Sequence, residues 1–148
     1  MSQFQSLRQY EHFVYTLSQQ FPSIQNSSLM VVRRGRFFAE VTGELLFTGS
    51  VRLSVYERLV WNGEGLMIEG YSYDVWEANE KLFWYDSQPH PNNPELAVSH
   101  PHHKHVPPDI RHNRIPAPML SFTEPNLPKL IREIELIYES ARVTDFHD

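Results

Sequence analysis

The sequence contains no cysteine, and that absence excludes several kinds of site. A chain without cysteine has no disulfide, no thiolate nucleophile and no zinc–thiolate centre. It also lacks any apolar run approaching the roughly 18 residues that a membrane-spanning helix needs. Nor does it begin with a basic segment followed by an apolar one, which is the pattern of a secretion signal. Together these absences favour a cytoplasmic protein.

Positively charged residues are fewer than negatively charged ones. Thirteen lysine and arginine residues stand against eighteen aspartate and glutamate residues, which gives a formal net charge of −5. A protein that binds duplex nucleic acid through its overall charge needs a basic surface, so the net charge disfavours that class of protein. It does not exclude a local basic patch. The length of 148 residues, with 41% hydrophobic residues, predicts one domain over residues 1–148 with a substantial core.

Hydrophobic periodicity predicts a single α+β domain. One helical apolar stripe runs through residues 3–21, and a second begins at Leu127 and continues to residue 142. Between them, alternation and turn residues predict five strands, at 29–34, 36–47, 51–61, 66–76 and 81–87, with a bulge expected at Gly43. The short connections predict an antiparallel meander, with both helices on one face of the sheet.

Residues 89–118 stand apart from this regular pattern. They hold six of the eight histidines and eight of the eleven prolines. Because proline fixes φ and lacks an amide donor, the stretch is predicted to be neither a long helix nor a central strand. Structureless loops of about thirty residues are uncommon unless they are functional or disordered, and the apolar residues spread through this one argue against disorder. We therefore expect an ordered histidine- and proline-rich loop across the sheet, and we expect the functional site there.

Glu57 breaks the apolar alternation of its strand. It shares a face with Leu53, Val55 and Leu59, so it points toward the predicted core. An ionised carboxylate in that position is costly without a partner. Two interpretations stay open: the residue lies near a rim or pairs with an arginine, or it is a catalytic or metal-binding carboxylate with a shifted pKa.

The segment 100–105, with the sequence HPHHKH, has three interpretations. Its imidazoles could bind a transition metal such as zinc or nickel, although the spacing matches neither HExxH nor a zinc finger. Two of them could serve as general base and general acid in the cleavage of RNA, whose 2′-hydroxyl is its own nucleophile. They could also do no more than hold the loop through hydrogen bonds to its backbone.

The acid–base interpretation assigns roles to particular residues around the loop. The proton-transfer candidates are His102, His103 and His105, with Asp86 or Glu57 orienting an imidazole and Lys104 stabilising phosphate charge, while the expected substrate contacts are Tyr73, His90, Arg111 and Arg114. No cofactor is required in this interpretation. A divalent metal at the histidines is required in the alternative one.

Several motifs resemble those of the TumE family of small bacterial toxins. They are Tyr71-Ser72-Tyr73, Tyr85-Asp86 followed by Pro89-His90, the run Pro101-His102-His103-Lys104-His105, and Gly49-Ser50 followed by Leu53, Val55 and Glu57. The likeness covers about residues 36–138, and the proline–histidine run is its most specific part. It implies the toxin of a toxin–antitoxin pair, neutralised by a small helix-turn-helix antitoxin encoded beside it.

The function expected from the sequence is therefore that of a cytoplasmic toxin with an antitoxin partner. Endoribonuclease activity on RNA is an inference from the residue types, since the resemblance does not carry it. The alternatives are a non-enzymatic module that binds a protein through the histidine loop, and a metal-dependent hydrolase.

Overall fold

An antiparallel β-sheet, with eight strands in the described residues, forms the body of the protein. The computed structural model describes residues 4–63 and 65–146, and their side chains as far as residue 137. The strands are β1 (Ile24–Ser27), β2 (Met30–Arg33), β3 (Phe38–Phe47), β4 (Val51–Trp61), β5 (Leu66–Glu77), β6 (Glu80–Asp86), β7 (His103–His105) and β8 (Arg114–Pro116). Their order is β1-β3-β4-β5-β6-β7-β8, and β2 also pairs with β3. The predicted α+β class and antiparallel sheet are confirmed.

The α-helices of the described residues are α1 (Leu7–Tyr15), α2 (Leu17–Gln20) and α3 (Leu127–Phe146). Of the single helix predicted over residues 3–21, residue 3 lies outside the described residues, residues 4–6 precede the first helix, and Thr16 separates α1 from α2, which ends one residue before Phe21. Ser6 caps α1, because its hydroxyl accepts a hydrogen bond from the Gln9 amide at 3.2 Å. Pro22 disfavours helix in the residue before it and follows the end of α2. None of these helices is both long and apolar enough to cross a membrane.

The hydrophobic core lies between the helices and one face of the sheet. Its helical members are Leu7, Tyr10, Phe13, Val14 and Leu17 from the N-terminal helices and Leu127, Leu130, Ile131 and Ile134 from α3. Alternate residues of β4 and β5, such as Leu53 and Val75, complete it from the sheet. The expected position of both helices on one face is therefore confirmed, and we call it the covered face. Side chains such as Trp76 and Trp84 lie on the other, partly exposed face, which we call the open face.

The N-terminal edge of the sheet is formed by β1 and β2, which pair with successive parts of β3. The strand predicted over residues 29–34 accounts for β2 and misses β1. Between β1 and β2 the chain passes close to Gly43 of β3. Only glycine fits at that position, because its φ is +132° and a Cβ there would lie 2.5 Å from the Ser28 carbonyl oxygen. The register of β3 against β4 is continuous through Gly43, so the bulge predicted there is wrong.

The stretch 89–118 continues the sheet. A 3₁₀ turn covers Pro94–Ser99, after which β7 pairs with β6 and β8 pairs with β7. The predictions of five strands and of one long irregular loop are therefore wrong. Prolines do not prevent this pairing, because they lie on either side of β7 and its three residues all keep the amide N–H that a ladder needs. Pro116 is tolerated because it is the last residue of β8, which is the last strand of the sheet.

Glu57 is fully buried on the covered face, so its placement near a rim is wrong. Its two carboxylate oxygens accept hydrogen bonds from the hydroxyls of Tyr10 and Tyr73, each at 2.5 Å. Asn126 donates to the Tyr73 hydroxyl at 3.1 Å, so the network joins α1, β4, β5 and the start of α3. Burial raises the pKa of the Glu57 carboxyl, and the hydrogen bonds from the two tyrosines offset part of that rise.

Replacement of Glu57 by glutamine tests this raised pKa. Because folding raises the pKa above its unfolded value of about 4.3, the folded protein holds the Glu57 proton more tightly than the unfolded chain does. The wild-type free energy of unfolding therefore falls as pH rises from the unfolded pKa to the folded one, and Glu57→Gln lacks that loss. We expect the stability of the variant relative to the wild type to be higher near pH 7 than near pH 4, by about 1.4 kcal/mol per unit of pKa shift.

Urea denaturation of both proteins at the two pH values measures this difference. Glu124→Gln is the matched control, because Glu124 is exposed and its replacement also removes one carboxylate. A relative stability that is the same at both pH values, or that favours the wild type near pH 7, would contradict a raised pKa at Glu57.

Candidate functional site

Strand pairing decides which face each side chain of β7 occupies. In the antiparallel pairing of β6 with β7, His103 lies opposite Asp86 and His105 lies opposite Trp84. Paired residues of neighbouring strands share a face, and successive residues of one strand alternate. His103 and His105 therefore project on the open face together with Asp86, whereas Lys104 projects on the covered face.

Asp86, His103 and His105 form one compact group, which we call the Asp–His–His cluster. Nε2 of His103 lies 2.9 Å from Oδ1 of Asp86, and Nε2 of His105 lies 3.3 Å from Oδ2. The two Nε2 atoms are 3.1 Å apart. Only 1% of His103 and 3% of His105 is exposed, while the Asp86 side chain is 21% exposed. Two nitrogens and a carboxylate thus converge beneath the open face, and the carboxylate reaches solvent.

Backbone carbonyls fix the orientation of both imidazole rings. Nδ1 of His103 lies 3.0 Å from the Pro101 carbonyl oxygen, and Nδ1 of His105 lies 3.0 Å from the Ile110 carbonyl oxygen. A carbonyl oxygen only accepts hydrogen bonds, so each Nδ1 carries a hydrogen and each Nε2 is turned toward Asp86. Every nitrogen of the two rings is therefore already engaged.

The pKa values of the three groups shift in different directions. Burial by itself would raise the pKa of Asp86, but hydrogen bonds from His103 and the Gln88 amide lower it to about 2. Burial also disfavours the charged form of the imidazoles, yet Asp86 raises the pKa of His103 above its ordinary value. Burial dominates at His105 and lowers its pKa. The ionised Asp86 therefore favours one positive charge between the rings, which a proton or a metal cation can supply.

His90 and Arg114 border the Asp–His–His cluster. The His90 ring meets the His103 ring edge-on, with centroids 4.8 Å apart. Arg114 lies opposite His105 in the pairing of β8 with β7, and so on the same face. Its Nε atom is buried and has no hydrogen-bond partner. A buried donor without an acceptor is unusual, and an oxygen of an anionic ligand would satisfy it.

His102 lies apart from the cluster and faces the core. The hydroxyl of the buried Tyr71 lies 2.5 Å from Nδ1 of His102, and the two rings are stacked with a centroid distance of 5.6 Å. Phe122 contacts the His102 ring at a centroid distance of 4.5 Å. Burial lowers the pKa of His102 and raises that of Tyr71, so the hydroxyl donates and Nδ1 accepts. The structure thus separates His102 from the other two proton-transfer candidates.

The remaining candidates from the sequence also lie away from the cluster. Lys104 pairs with Glu133 of α3 at 3.1 Å on the covered face. Glu57 and Tyr73 belong to the buried network between the sheet and the helices. Arg111 is exposed between β7 and β8. The candidates that the structure brings together are Asp86, His90, His103, His105 and Arg114.

Cations and aromatic rings alternate across the open face and lead to the cluster, which the sequence analysis missed. The Arg52 guanidinium lies 4.7 Å from the Trp76 ring centroid. Lys81 lies between two rings, 5.2 Å from Trp76 and 4.3 Å from Trp84. Trp84 in turn stacks on His105, with centroids 4.0 Å apart. We call Arg52, Trp76, Lys81 and Trp84 the cation–aromatic row. Alternation in β5 and β6 puts both tryptophans opposite the apolar face, so part of this row could have been found.

Comparison with known proteins identifies a family. The family model described as Toxin TumE matches residues 14–138, which is most of the chain and includes the cation–aromatic row and the Asp–His–His cluster. No curated protein and no solved structure matches the chain. The resemblance found in the sequence motifs is thereby confirmed, and it supports a toxin of a toxin–antitoxin system with an antitoxin as partner. The chain belongs to the toxin TumE family.

Proposed function

We propose that this toxin cleaves RNA on the open face of its sheet, with the Asp–His–His cluster and Arg114 at the reacting phosphate. The observation that carries the proposal is the meeting of the cation–aromatic row with a buried cluster beside an unsatisfied arginine donor. The row offers stacking surfaces and positive charge to a nucleotide chain, and Arg114 offers a donor to a phosphate oxygen. A cytoplasmic location is part of this proposal, since RNA and the antitoxin are made there.

The expected substrate is single-stranded RNA. Its bases can stack on exposed aromatic rings, whereas a duplex keeps its bases stacked inside. The cations of the row are paired with acids, Arg52 with Glu44 at 2.7 Å and Lys81 with Asp74 at 3.5 Å. The row is therefore close to neutral, in keeping with a chain of net charge −5, and stacking contributes more to RNA binding than bulk charge does.

Cleavage would use the 2′-hydroxyl of the RNA as the nucleophile. A bond forms between the 2′-oxygen and phosphorus while the bond from phosphorus to the 5′-oxygen breaks, so the 2′-hydroxyl loses a proton and the leaving oxygen gains one. Arg114 stabilises the negative charge on the phosphate oxygens. The cluster would take the hydroxyl proton on an imidazole and return it to the leaving 5′-oxygen, or the three groups would hold a cation that makes the hydroxyl more acidic, in which case solvent takes that proton and supplies the one that the leaving oxygen gains. The engagement of all ring nitrogens of His103 and His105 favours the cation.

Binding of a short unstructured RNA measures the contribution of the cation–aromatic row. Because base stacking on an aromatic ring contributes about 1–3 kcal/mol, we expect Trp76→Leu to weaken binding by about 5- to 150-fold. Lys81→Gln removes one cation, so we expect the slope of log affinity against log salt to become shallower by about 0.7. Arg132→Gln is the matched control, because Arg132 is exposed on α3. Equal affinity of all four proteins would exclude the open face as the RNA site.

Cleavage of a mixed RNA by tag-free protein tests the activity itself. We expect Asp86→Asn, which keeps the side-chain shape but loses the charge, to cleave at least roughly 100-fold more slowly than the wild type, and Arg114→Gln to do the same. His112→Ala should retain wild-type cleavage, because the His112 side chain is 67% exposed on the turn between β7 and β8. Circular dichroism establishes that each variant is folded. A folded wild-type protein that cleaves no RNA would overturn the proposal, and full activity of both cluster variants would move the active site elsewhere.

A non-enzymatic protein-binding function is the alternative, and one surface favours it. Met119, Leu136 and Ile137 are apolar and are 44%, 64% and 40% exposed. Together with Lys129 and Arg132 they line a groove along α3. Such a groove suits an apolar helix of a partner, and we propose it as the contact for a small helix-turn-helix antitoxin. A folded protein that stays toxic without cleaving RNA would favour toxicity through a protein contact instead.

A further inference from the structure

We infer that Asp86, His103 and His105 form a binding site for one divalent transition-metal ion of the zinc class. Each contributes one ligand atom, and these atoms all lie within 4.8 Å of one another. Two imidazole nitrogens and one carboxylate oxygen make a ligand set suited to zinc and its neighbours, whereas magnesium prefers oxygen ligands alone. Within the described ranges of the chain, no second group of this kind is found.

The spacing of the three ligand atoms fits a tetrahedral ion. Zinc bonds to nitrogen and oxygen are about 2.0–2.2 Å long, so two ligand atoms on a tetrahedral zinc lie roughly 3.3–3.5 Å apart. Nε2 of His103 lies 3.1 Å from Nε2 of His105 and 2.9 Å from Oδ1 of Asp86, while Nε2 of His105 lies 3.3 Å from the other carboxylate oxygen, Oδ2. These separations are close to the tetrahedral range, so a small adjustment that turns one Asp86 oxygen toward both nitrogens would complete the site.

The groups behind the ligands support the same assignment. Imidazoles that bind a metal through one nitrogen usually donate a hydrogen bond from the other, often to a backbone carbonyl. His103 and His105 both do so, to Pro101 and Ile110. The carboxylate is held as well, since Asp86 accepts hydrogen bonds from the Gln88 amide at 2.9 Å and from the Trp84 indole at 3.2 Å. All three ligands are thus oriented before any ion arrives.

Charge and access are also suitable for a bound cation. The partly exposed Asp86 carboxylate gives an ion a route from solvent into a cluster whose imidazoles are buried. Arg114 and His90 are the further basic groups that face the cluster; the Arg114 guanidinium opposes a second cation, and the Asp86 carboxylate supplies the negative charge that offsets this repulsion. An ion there keeps a fourth coordination position for water or an anionic oxygen, and Arg114 can donate to that oxygen. This inference deepens the proposed function, because it names the activating group at the same cluster.

Titration of tag-free, chelator-treated protein with zinc(II) and with cobalt(II) tests the site. We expect one equivalent per chain, a rise in melting temperature on binding, and the visible absorption of cobalt(II) with nitrogen and oxygen ligands. Asp86→Asn and His105→Ala should each bind zinc at least tenfold more weakly. His100→Ala and His112→Ala should bind as the wild type does, because both residues are exposed and neither belongs to the cluster.

The outcomes separate this inference from the proposed function. Equal zinc affinity in the wild type and in folded Asp86→Asn would mean an adventitious ion only, and no binding at micromolar zinc would mean that the two rings share a proton; either result overturns the inference. RNA cleavage that survives a chelator in a protein without zinc affinity would leave the proposed function standing alone. Stoichiometric zinc in a protein that cleaves no RNA would support the metal site and overturn the proposed RNA cleavage. If His105→Ala does not fold, Asp86→Asn decides, because it preserves the side-chain volume.

Discussion

Three residues of β7 pair with the last three residues of β6, and the candidate site depends on this backbone pairing. Because side chains alternate along a strand, the pairing directs His103 and His105 to the open face and Lys104 to the covered face. A register shift of one residue would exchange the faces. The Asp–His–His cluster, and its position at the end of the cation–aromatic row, both follow from that one register.

The two faces of the sheet divide stability from function. On the covered face, Glu133 of α3 accepts hydrogen bonds from Tyr85 of β6 at 2.8 Å and from Lys104 of β7 at 3.1 Å. The helix therefore links these two strands. The buried carboxylate of Glu57 joins α1 to the same sheet. These polar contacts sit inside an otherwise apolar layer, where a lost partner is costly. The open face is thereby free to carry ligand-binding groups while the covered face keeps β7 in place.

The sequence was sufficient to predict a strand where the strand buries one face and is long enough to show the two-residue alternation of apolar and polar side chains. Alternation predicted β4 to the residue and the other central strands to within two residues. It could not reveal β7, because three residues are too few for a period and their pairing is non-local. Residue type alone marked Asp86 and the histidines as chemically interesting, but only the register separates His102 from His103 and His105. The carbonyls of residues 101 and 110, which orient the rings, have no signature in the sequence at all.

The Asp–His–His metal site is tested most directly by an anomalous difference map from crystals of the zinc-loaded protein. We expect one peak per chain on the open face, about 2.0–2.2 Å from Nε2 of His103, from Nε2 of His105 and from a carboxylate oxygen of Asp86. The ordinary electron density of the same crystals should show His102 against Tyr71, on the other side of the strand. A zinc peak held by other residues, or a structure in which His103 and His105 point to different faces, would contradict it.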